Sequence, residues 1–356
     1  MKIRCALIAG LLLCGSAHAQ VYPDKSNLLV YREGDRETPV KTADDWAKRR
    51  AHILANMELV MGPMPTIAKV PLDVKIVEEV KLEKFTRKKL TYAAGPGNRV
   101  PAYLFIPHRR LEKTPAILCL HPTSPALGKG IPAGFGDKAD RHYAVHLAER
   151  GYITLAPDYV HSGGEYHFDP YENGFVSATM LGIWNHRIAV DLLQSLPEVD
   201  GENLGVVGHS LGGHNSMFAA AFEPRLKAIV SSCGFCSFPT YMKGNIAGWS
   251  HKGYMPRLTD VYKLDLAKVP FDFPEVVAAL APRAFLASAP TRDHNFDMEG
   301  AMDCLKAARP VFELLNAKDK LAGIHPDAGH DFPDEARAAA YAWFDRHLKA
   351  GLPERK

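Results

Sequence analysis

The sequence predicts an α/β fold in which a mostly parallel central sheet is covered by helices on both faces. Short apolar segments alternate with amphipathic segments of helical period from about residue 140 onward. Right-handed strand–helix–strand crossovers place such strands side by side in one sheet. The 356 residues are 47% hydrophobic and 23% charged, which excludes a disordered chain or a coiled coil.

The first nineteen residues have the features of a cleavable signal peptide. Lys2 and Arg4 precede the apolar run Ala6–Leu13, and Ala17-His18-Ala19 forms a small-residue cleavage sequence before Gln20. The apolar run is shorter than the roughly 20 residues that cross a bilayer, and no later segment reaches that length. We therefore expect a mature chain that begins near Gln20, has no membrane span, and is periplasmic or secreted.

Residues 20–70 are predicted to form a helical N-terminal extension that packs on the main domain, residues 71–350. Thr42 and Asp45 have the spacing of a capping box at the start of a helix, and Gly62-Pro63 ends that helix.

The main domain begins where the pattern changes to strands, and an aromatic, proline-containing insertion interrupts it at residues 233–280. Apolar, β-branched runs predict the strands, and apolar residues at helical spacing predict the helices. The predicted elements are, in order, strands Val74–Val80, Lys89–Ala93, Val100–Ile106 and Ala116–His121, helix Asp140–Arg150, strand Tyr152–Ala156, helix Val176–Leu196, strand Leu204–Gly208, helix Leu211–Phe222, strands Ala228–Ser232 and Ala284–Ala289, helix Glu299–Leu315, strand Leu321–Ile324 and helix Glu335–Lys349.

A G-x-S-x-G sequence, Gly208-His209-Ser210-Leu211-Gly212, lies between a predicted buried strand and a predicted helix. This is the context of a nucleophile elbow, in which glycines leave room around a strained serine. The unpaired N–H groups and the positive dipole end of the following helix favour an oxyanion. The pattern predicts Ser210 as a nucleophile; the alternative is a serine that caps a helix in a glycine-rich turn.

A serine hydroxyl needs a base that is itself oriented by a third group. In this kind of fold the acid follows the next-to-last strand and the histidine follows the last. Asp293 is therefore the predicted acid, with Asp297 as the alternative four residues later. His330 is the predicted base, preferred to His325 because His325 lies at the end of the strand.

The oxyanion donors are predicted at two backbone positions. One is the N–H of Leu211, directly after the serine. The other should come from the loop after strand Ala116–His121, where Pro122 has no N–H, so Thr123 or a neighbour must donate.

Composition and motifs limit cofactors and partners. With 43 basic and 40 acidic residues, the net charge of +3 is too balanced for nucleic-acid binding. No histidine pair has metal-site spacing, so neither a metal nor an organic cofactor is expected. Cys233 and Cys236 form a lone C-x-x-C, which predicts a local disulfide or two buried thiols. The oligomeric state is left open.

These features together resemble the α/β-hydrolase superfamily, and more narrowly its secreted acetyl-xylan-esterase-like branch, which is related to dienelactone hydrolases and to the catalytic domain of prolyl oligopeptidases. The chain departs from dienelactone hydrolases proper in having serine rather than cysteine at position 210, and His121-Pro122 lacks the glycines of lipase oxyanion loops. The segments that resemble the family are Trp46 with Arg49-Arg50, Met61-Gly62-Pro63, Leu120-His121-Pro122-Thr123, Trp184 with Arg187 and Asp191, Gly208–Gly213, Ala281-Pro282-Arg283 with Asp293, and Gly329-His330.

The resemblance implies a serine carboxyl-ester hydrolase that removes short acyl groups, acetyl above all, from a small-molecule or polysaccharide ester. The alternatives are a prolyl-oligopeptidase-like serine peptidase, a glucuronoyl or feruloyl esterase, a non-catalytic binding protein, and a redox or metal protein built on the cysteine pair. Residues after strand ends or in the insertion are candidates to contact substrate. These candidates are Tyr159, His161, His209, Trp249 and Tyr254.

Overall fold

A nine-stranded sheet forms the centre of the computed structural model, which describes residues 19–68, 70–159 and 164–349. The strands are β1 (Val30–Glu33), β2 (Arg36–Pro39), β3 (Lys75–Lys81), β4 (Phe85–Gly95), β5 (Asn98–Pro107), β6 (Thr114–Leu120), β7 (Ile153–Pro157), β8 (Val199–His209), β9 (Leu226–Ser232), β10 (Ala284–Ser288) and β11 (Leu321–Ile324). The α-helices are α1 (Ala43–Met61), α2 (Tyr143–Glu149), α3 (Ala178–Ser195), α4 (Leu211–Phe222), α5 (Arg257–Asp260), α6 (Phe273–Ala279), α7 (Met298–Leu314) and α8 (Asp334–Leu348).

The strand order of the sheet is β11-β10-β9-β8-β6-β7-β5-β4-β3. Strands β6 to β11 pair in parallel, whereas β3, β4 and β5 join antiparallel at one edge. Because parallel strands all end at the same edge, the loops after β6, β8, β9, β10 and β11 converge there. The predicted fold class is confirmed.

Both faces of the central parallel strands are buried, and successive residues of one strand belong to different cores. Ile117 and Cys119 of β6 pack in the core under α2 and α8, whereas Leu118 packs in the larger core under α1, α3, α4, α6 and α7. This explains why the central strands read as continuous apolar runs rather than as alternating patterns.

The predicted helix after Thr42 is confirmed as α1, with the Thr42–Asp45 capping box formed and Gly62 as its C-cap. The hairpin β1–β2 and helices α5 and α6 were not predicted, and β8 begins at Val199, five residues before the predicted strand. Residues 1–18 of the predicted leader lie outside the described residues. Within the described ranges, no helix combines the length and apolar character needed to cross a membrane.

A buried ion pair joins α1 to α6. Arg49 Nη2 donates to Glu275 Oε1 at 2.6 Å, and both side chains have no exposed surface. The Arg49 guanidinium also lies over the Tyr22 ring at 3.4 Å, and the other carboxylate oxygen of Glu275 accepts from the N–H of Asp272 at the start of α6. Removing one partner would leave the other charge buried and unpaired.

We expect Arg49→Met and Glu275→Gln each to lower the free energy of unfolding by about 3 kcal/mol or more. The double variant should cost much less than the sum of the two, because it leaves no unpaired charge. Urea denaturation measures this, with Glu37→Gln, which breaks the exposed pair with Arg32, as a control of little effect. The pairing would be contradicted if the loss of unfolding free energy in the double variant equalled the sum of the losses in the two single variants.

Candidate active site

Ser210 lies in the sharp turn between β8 and α4, with φ 57° and ψ −118°. Its N–H donates to the carbonyl of Ser232 on β9 at 2.8 Å. A Cβ at Gly208 would overlap the backbone of Gly212, and a Cβ at Gly212 would overlap the carbonyl oxygen of Leu120. Both glycines are therefore required by close backbone approach, and the turn holds the serine hydroxyl at the carboxyl edge of the sheet.

Three side chains form a hydrogen-bonded chain at that edge. His330 Nε2 lies 2.8 Å from Ser210 Oγ, and His330 Nδ1 lies 3.0 Å from each carboxylate oxygen of Asp293. An ionised carboxylate only accepts, so Nδ1 is the protonated nitrogen and Nε2 is left to accept the serine proton. The arrangement gives each group the geometry of nucleophile, base and acid.

The carboxylate of Asp293 is fixed in its charged form. Oδ1 accepts from the N–H groups of Asn295 at 2.8 Å and Phe296 at 3.2 Å. Burial alone would raise the pKa of Asp293, but the hydrogen bonds from His330 and from the Asn295 amide outweigh it and hold the pKa below its ordinary value. The alternative acid, Asp297, instead caps α7 by accepting from Gly300 N at 2.6 Å.

The two predicted oxyanion donors line the same cavity as Ser210. Leu211 is the first residue of α4, so its N–H has no partner within the helix. His121 Nδ1 lies 2.7 Å from the Pro122 carbonyl, which can only accept, so the ring donates and fixes that carbonyl. The Pro122–Thr123 peptide is trans, and the Thr123 N–H therefore points away from His121.

The cavity beside Ser210 is small, about 80 Å³. Three larger cavities among the described residues, of about 410, 420 and 540 Å³, are lined by none of Ser210, Asp293 and His330. The residues that line the small cavity are Thr123, Ser210, Leu211, His214, Tyr241, Gly248, Trp249, Tyr254, Asn295 and Phe296.

Of the four predicted substrate-contact residues that the structure describes, two line this cavity, Trp249 and Tyr254. Tyr159 is 3% exposed and stacks on His121 with ring centroids 3.9 Å apart, so its ring is used in packing behind the oxyanion loop. His209 is fully buried, with Nδ1 3.1 Å from Ser232 Oγ. His161 lies outside the described residues.

Several cavity residues were missed by the sequence reasoning. His214 lies in the first turns of α4, four residues after Ser210 in the sequence. Asn295 and Phe296 lie two and three residues after the predicted acid. These two signals were available in the sequence, whereas nothing local marks Tyr241 or Gly248.

Cys233 and Cys236 are two buried free thiols rather than a disulfide. Burial raises the pKa of Cys233 well above its ordinary value and that of Cys236 to about 11, so both are protonated at neutral pH. Cys233 Sγ lies within 4.8 Å of a carboxylate oxygen of Asp293 and a ring nitrogen of His330, and it donates to the carbonyl of Asp331 at 3.3 Å. The thiol thus ties the end of β9 to the loop that holds the histidine.

Hydrogen bonds join the serine after β8 to the imidazole after β11, and that imidazole to the carboxylate after β10. Together with the mostly parallel sheet, this arrangement defines an α/β-hydrolase. The chain matches the Abhydrolase family over residues 36–314 and belongs to that family.

Among curated relatives, the chain is similar to 4-O-methyl-glucuronoyl methylesterase 1 of Wolfiporia cocos, with 26% identity over 190 residues, 48% of this chain and 46% of that protein. An uncharacterized protein of Pseudomonas aeruginosa is 32% identical over 154 residues, 42% of this chain and 37% of that protein. The chain thus spans less than half the length of these two relatives.

Among solved structures, a glucuronoyl esterase from Solibacter usitatus superposes with a TM-score of 0.69 at 20% identity, over 92% of this chain and 99% of that one. At this identity the superposition shows a shared fold.

Proposed function

We propose that this protein is an exported serine carboxyl-ester hydrolase that removes short acyl groups, acetyl above all, from carbohydrate. The observation that supports it most is the unbroken hydrogen-bonded chain from Ser210 Oγ through His330 to Asp293, at 2.8 and 3.0 Å, beside a small cavity. No step of the proposed reaction needs a metal or an organic cofactor.

In the proposed mechanism, Ser210 Oγ attacks the ester carbonyl while His330 Nε2 takes the hydroxyl proton. The N–H groups of Leu211 and Thr123 stabilise the negative charge on the tetrahedral oxygen. His330 then gives its proton to the leaving alcohol, and the acyl group stays on Ser210. Water, deprotonated by the same imidazole, attacks the acyl-enzyme. The bond between the acyl carbon and Ser210 Oγ then breaks, the acid leaves, and His330 returns its proton to Ser210 Oγ. Asp293 stays ionised and stabilises the imidazolium in both half-reactions.

The size of the cavity supports a short acyl group. A volume of about 80 Å³ is small beside the cavities of about 410 and 420 Å³ elsewhere in the described residues, which favours a short acyl group. Similar proteins support the carbohydrate part of the proposal. One of them is a second solved structure, an acetyl xylan esterase from Thermoanaerobacterium. It superposes with a TM-score of 0.54 at 20% identity, over 78% of this chain and 88% of that one.

Glucuronoyl ester hydrolysis is the second candidate, supported by the names of the Wolfiporia and Solibacter proteins. It would place a whole sugar ring on the acyl side of the scissile bond. The small cavity favours the acetyl group, because a sugar ring would have to lie outside it.

Export should be visible in the mature chain. We expect N-terminal sequencing of the secreted or periplasmic protein to begin at or near Gln20, because the cleavage sequence ends at Ala19. A functional protein that retains residues 1–19 in the cytoplasm would contradict this part of the proposal.

We expect Ser210→Ala and His330→Ala each to lower kcat for p-nitrophenyl acetate by about 10⁴-fold or more, and the double variant to cost little beyond either. Asp293→Asn should lower kcat by about 10³- to 10⁴-fold, because the imidazole loses the carboxylate that sets its tautomer.

Asp297→Asn is the matched control, since Asp297 caps α7 and does not contact the imidazole. It should keep kcat within about threefold, as expected for a change confined to a helix cap. A normal kcat in Asp293→Asn, together with a large loss of kcat in Asp297→Asn, would instead identify Asp297 as the acid that orients His330.

On substrates, kcat/KM should fall steeply from p-nitrophenyl acetate to butyrate and octanoate, and acetylated xylan should release acetate. A methyl glucuronate ester and a peptide nitroanilide, run beside them, represent the two rival activities. A preference for octanoate, or cleavage of the glucuronate ester or the amide without acetate release, would contradict acetyl specificity.

A further inference from the structure

Three consecutive carbonyl groups, at the end of β6 and in the loop after it, each accept a hydrogen bond from a buried ring side chain. The hydroxyl of Tyr143 donates to the carbonyl of Leu120, and the hydroxyl of Tyr159 donates to the carbonyl of His121 at 2.9 Å. The ring of His121 donates through Nδ1 to the carbonyl of Pro122 at 2.7 Å. The three donor side chains are at most 3% exposed, so water does not compete for these carbonyls.

Each donor is in the protonation state that its hydrogen bond requires. Burial raises the pKa of Tyr143 and of Tyr159 well above the ordinary value, so both hydroxyls keep their proton at neutral pH. Burial lowers the pKa of His121, so its ring is neutral and has a single N–H. Because the Pro122 carbonyl can only accept, that N–H is on Nδ1.

Tyr159 is itself held from two sides. Its ring stacks on the imidazole of His121, with centroids 3.9 Å apart and an angle of 10° between the planes. The preceding residue, Asp158, has a fully buried carboxylate that accepts from the backbone N–H of Lys129 at 2.8 Å and from its Nζ at 2.6 Å. The hydroxyl that reaches the His121 carbonyl therefore extends from a fixed backbone.

The fixed carbonyls determine where the next N–H of the chain points. The carbonyl and the N–H of a trans peptide point in opposite directions, and the peptide between Pro122 and Thr123 is trans. Pro122 has no N–H, so the N–H of Thr123 is the first that follows the three held carbonyls. Thr123 lines the cavity together with Ser210 and Leu211. A donor stabilises an oxyanion most when its orientation is set before the reaction begins.

We propose that Tyr143, Tyr159 and His121 are positioning residues that orient the Thr123 N–H towards the tetrahedral oxygen. This rests on the proposed ester hydrolysis at Ser210. The three side chains hold the loop and do not touch substrate. Their loss therefore weakens an interaction made in the transition state, so kcat falls while KM stays nearly constant.

Variants that lack a single oxygen atom test the proposal. Tyr143→Phe and Tyr159→Phe each remove one hydroxyl and keep the ring. We expect each to lower kcat for p-nitrophenyl acetate by about 5- to 50-fold with KM within about threefold, because the complete loss of an oxyanion donor costs about 10²- to 10³-fold.

Tyr92→Phe is the matched control. Tyr92 is fully buried, and its hydroxyl also donates to a backbone carbonyl, that of Asn185 in α3, at 3.3 Å. Its loss should cost similar stability but leave kcat within about twofold.

His121 allows a test by rescue. His121→Leu removes the donor to the Pro122 carbonyl, whereas His121→Asn keeps an N–H two bonds from Cβ, as Nδ1 is. We expect kcat to fall by about 10²-fold in the leucine variant and by clearly less in the asparagine variant.

A second measurement separates positioning from stability. A trifluoromethyl ketone adds to Ser210 as a tetrahedral adduct with the negative oxygen of the transition state. Its inhibition constant should rise in each variant by the same factor as kcat/KM falls. Partial unfolding would lower the amount of active enzyme and leave that constant unchanged.

A tyrosine variant that keeps kcat at the level of Tyr92→Phe removes that residue from the proposal, and the proposal is wrong if both do so. A fall in kcat with an unchanged inhibition constant overturns it as well. The tyrosine variants carry this test even if His121→Leu does not fold. Failure of the proposed function looks different: Ser210→Ala would hydrolyse the ester as well as the wild type, or the wild type would not hydrolyse it, and this inference falls in either case.

Discussion

The backbone of Ser210 has a positive φ of 57°, a conformation that costs a residue with a side chain about 1–3 kcal/mol and persists only where the surroundings enforce it. Here β8 passes directly into α4 while Gly208, Gly212 and Leu120 pack backbone against backbone. Strand β9 adds the carbonyl of Ser232 as acceptor for the serine N–H. Because both neighbours of β8 contribute, the position of Ser210 depends on the register of the central sheet.

The rest of the site assembles around that point because parallel strands end at one edge. Asp293 and His330 come from the loops after β10 and β11, and the Cys233 thiol at the end of β9 donates to the residue after the histidine. The segment between β9 and β10 then brings Trp249 and Tyr254 over the serine. Strands thus fix the serine, the histidine and the carboxylate, while the long insertion supplies part of the cavity wall.

The sequence is sufficient for the elements whose signals are local. Helix Leu211–Phe222 and strand Leu321–Ile324 agree with the prediction to the residue. The hairpin strand Val30–Glu33 has too few residues to show a period, and α6 lies in a nearly continuous apolar run in which a period of 3.6 is hidden. Likewise, the burial of Tyr159 behind His121 results from tertiary packing that no local pattern encodes.

We propose that the strained elbow presents Ser210 as a nucleophile activated by His330, and covalent trapping tests this role most directly. A fluorophosphonate reacts only with an activated serine, and mass spectrometry of the digested protein locates the adduct. The expected adduct is a single one on Ser210, formed much more slowly in His330→Ala. An enzyme that hydrolyses esters while Ser210 stays unlabelled, or that labels equally fast without His330, would contradict the claim.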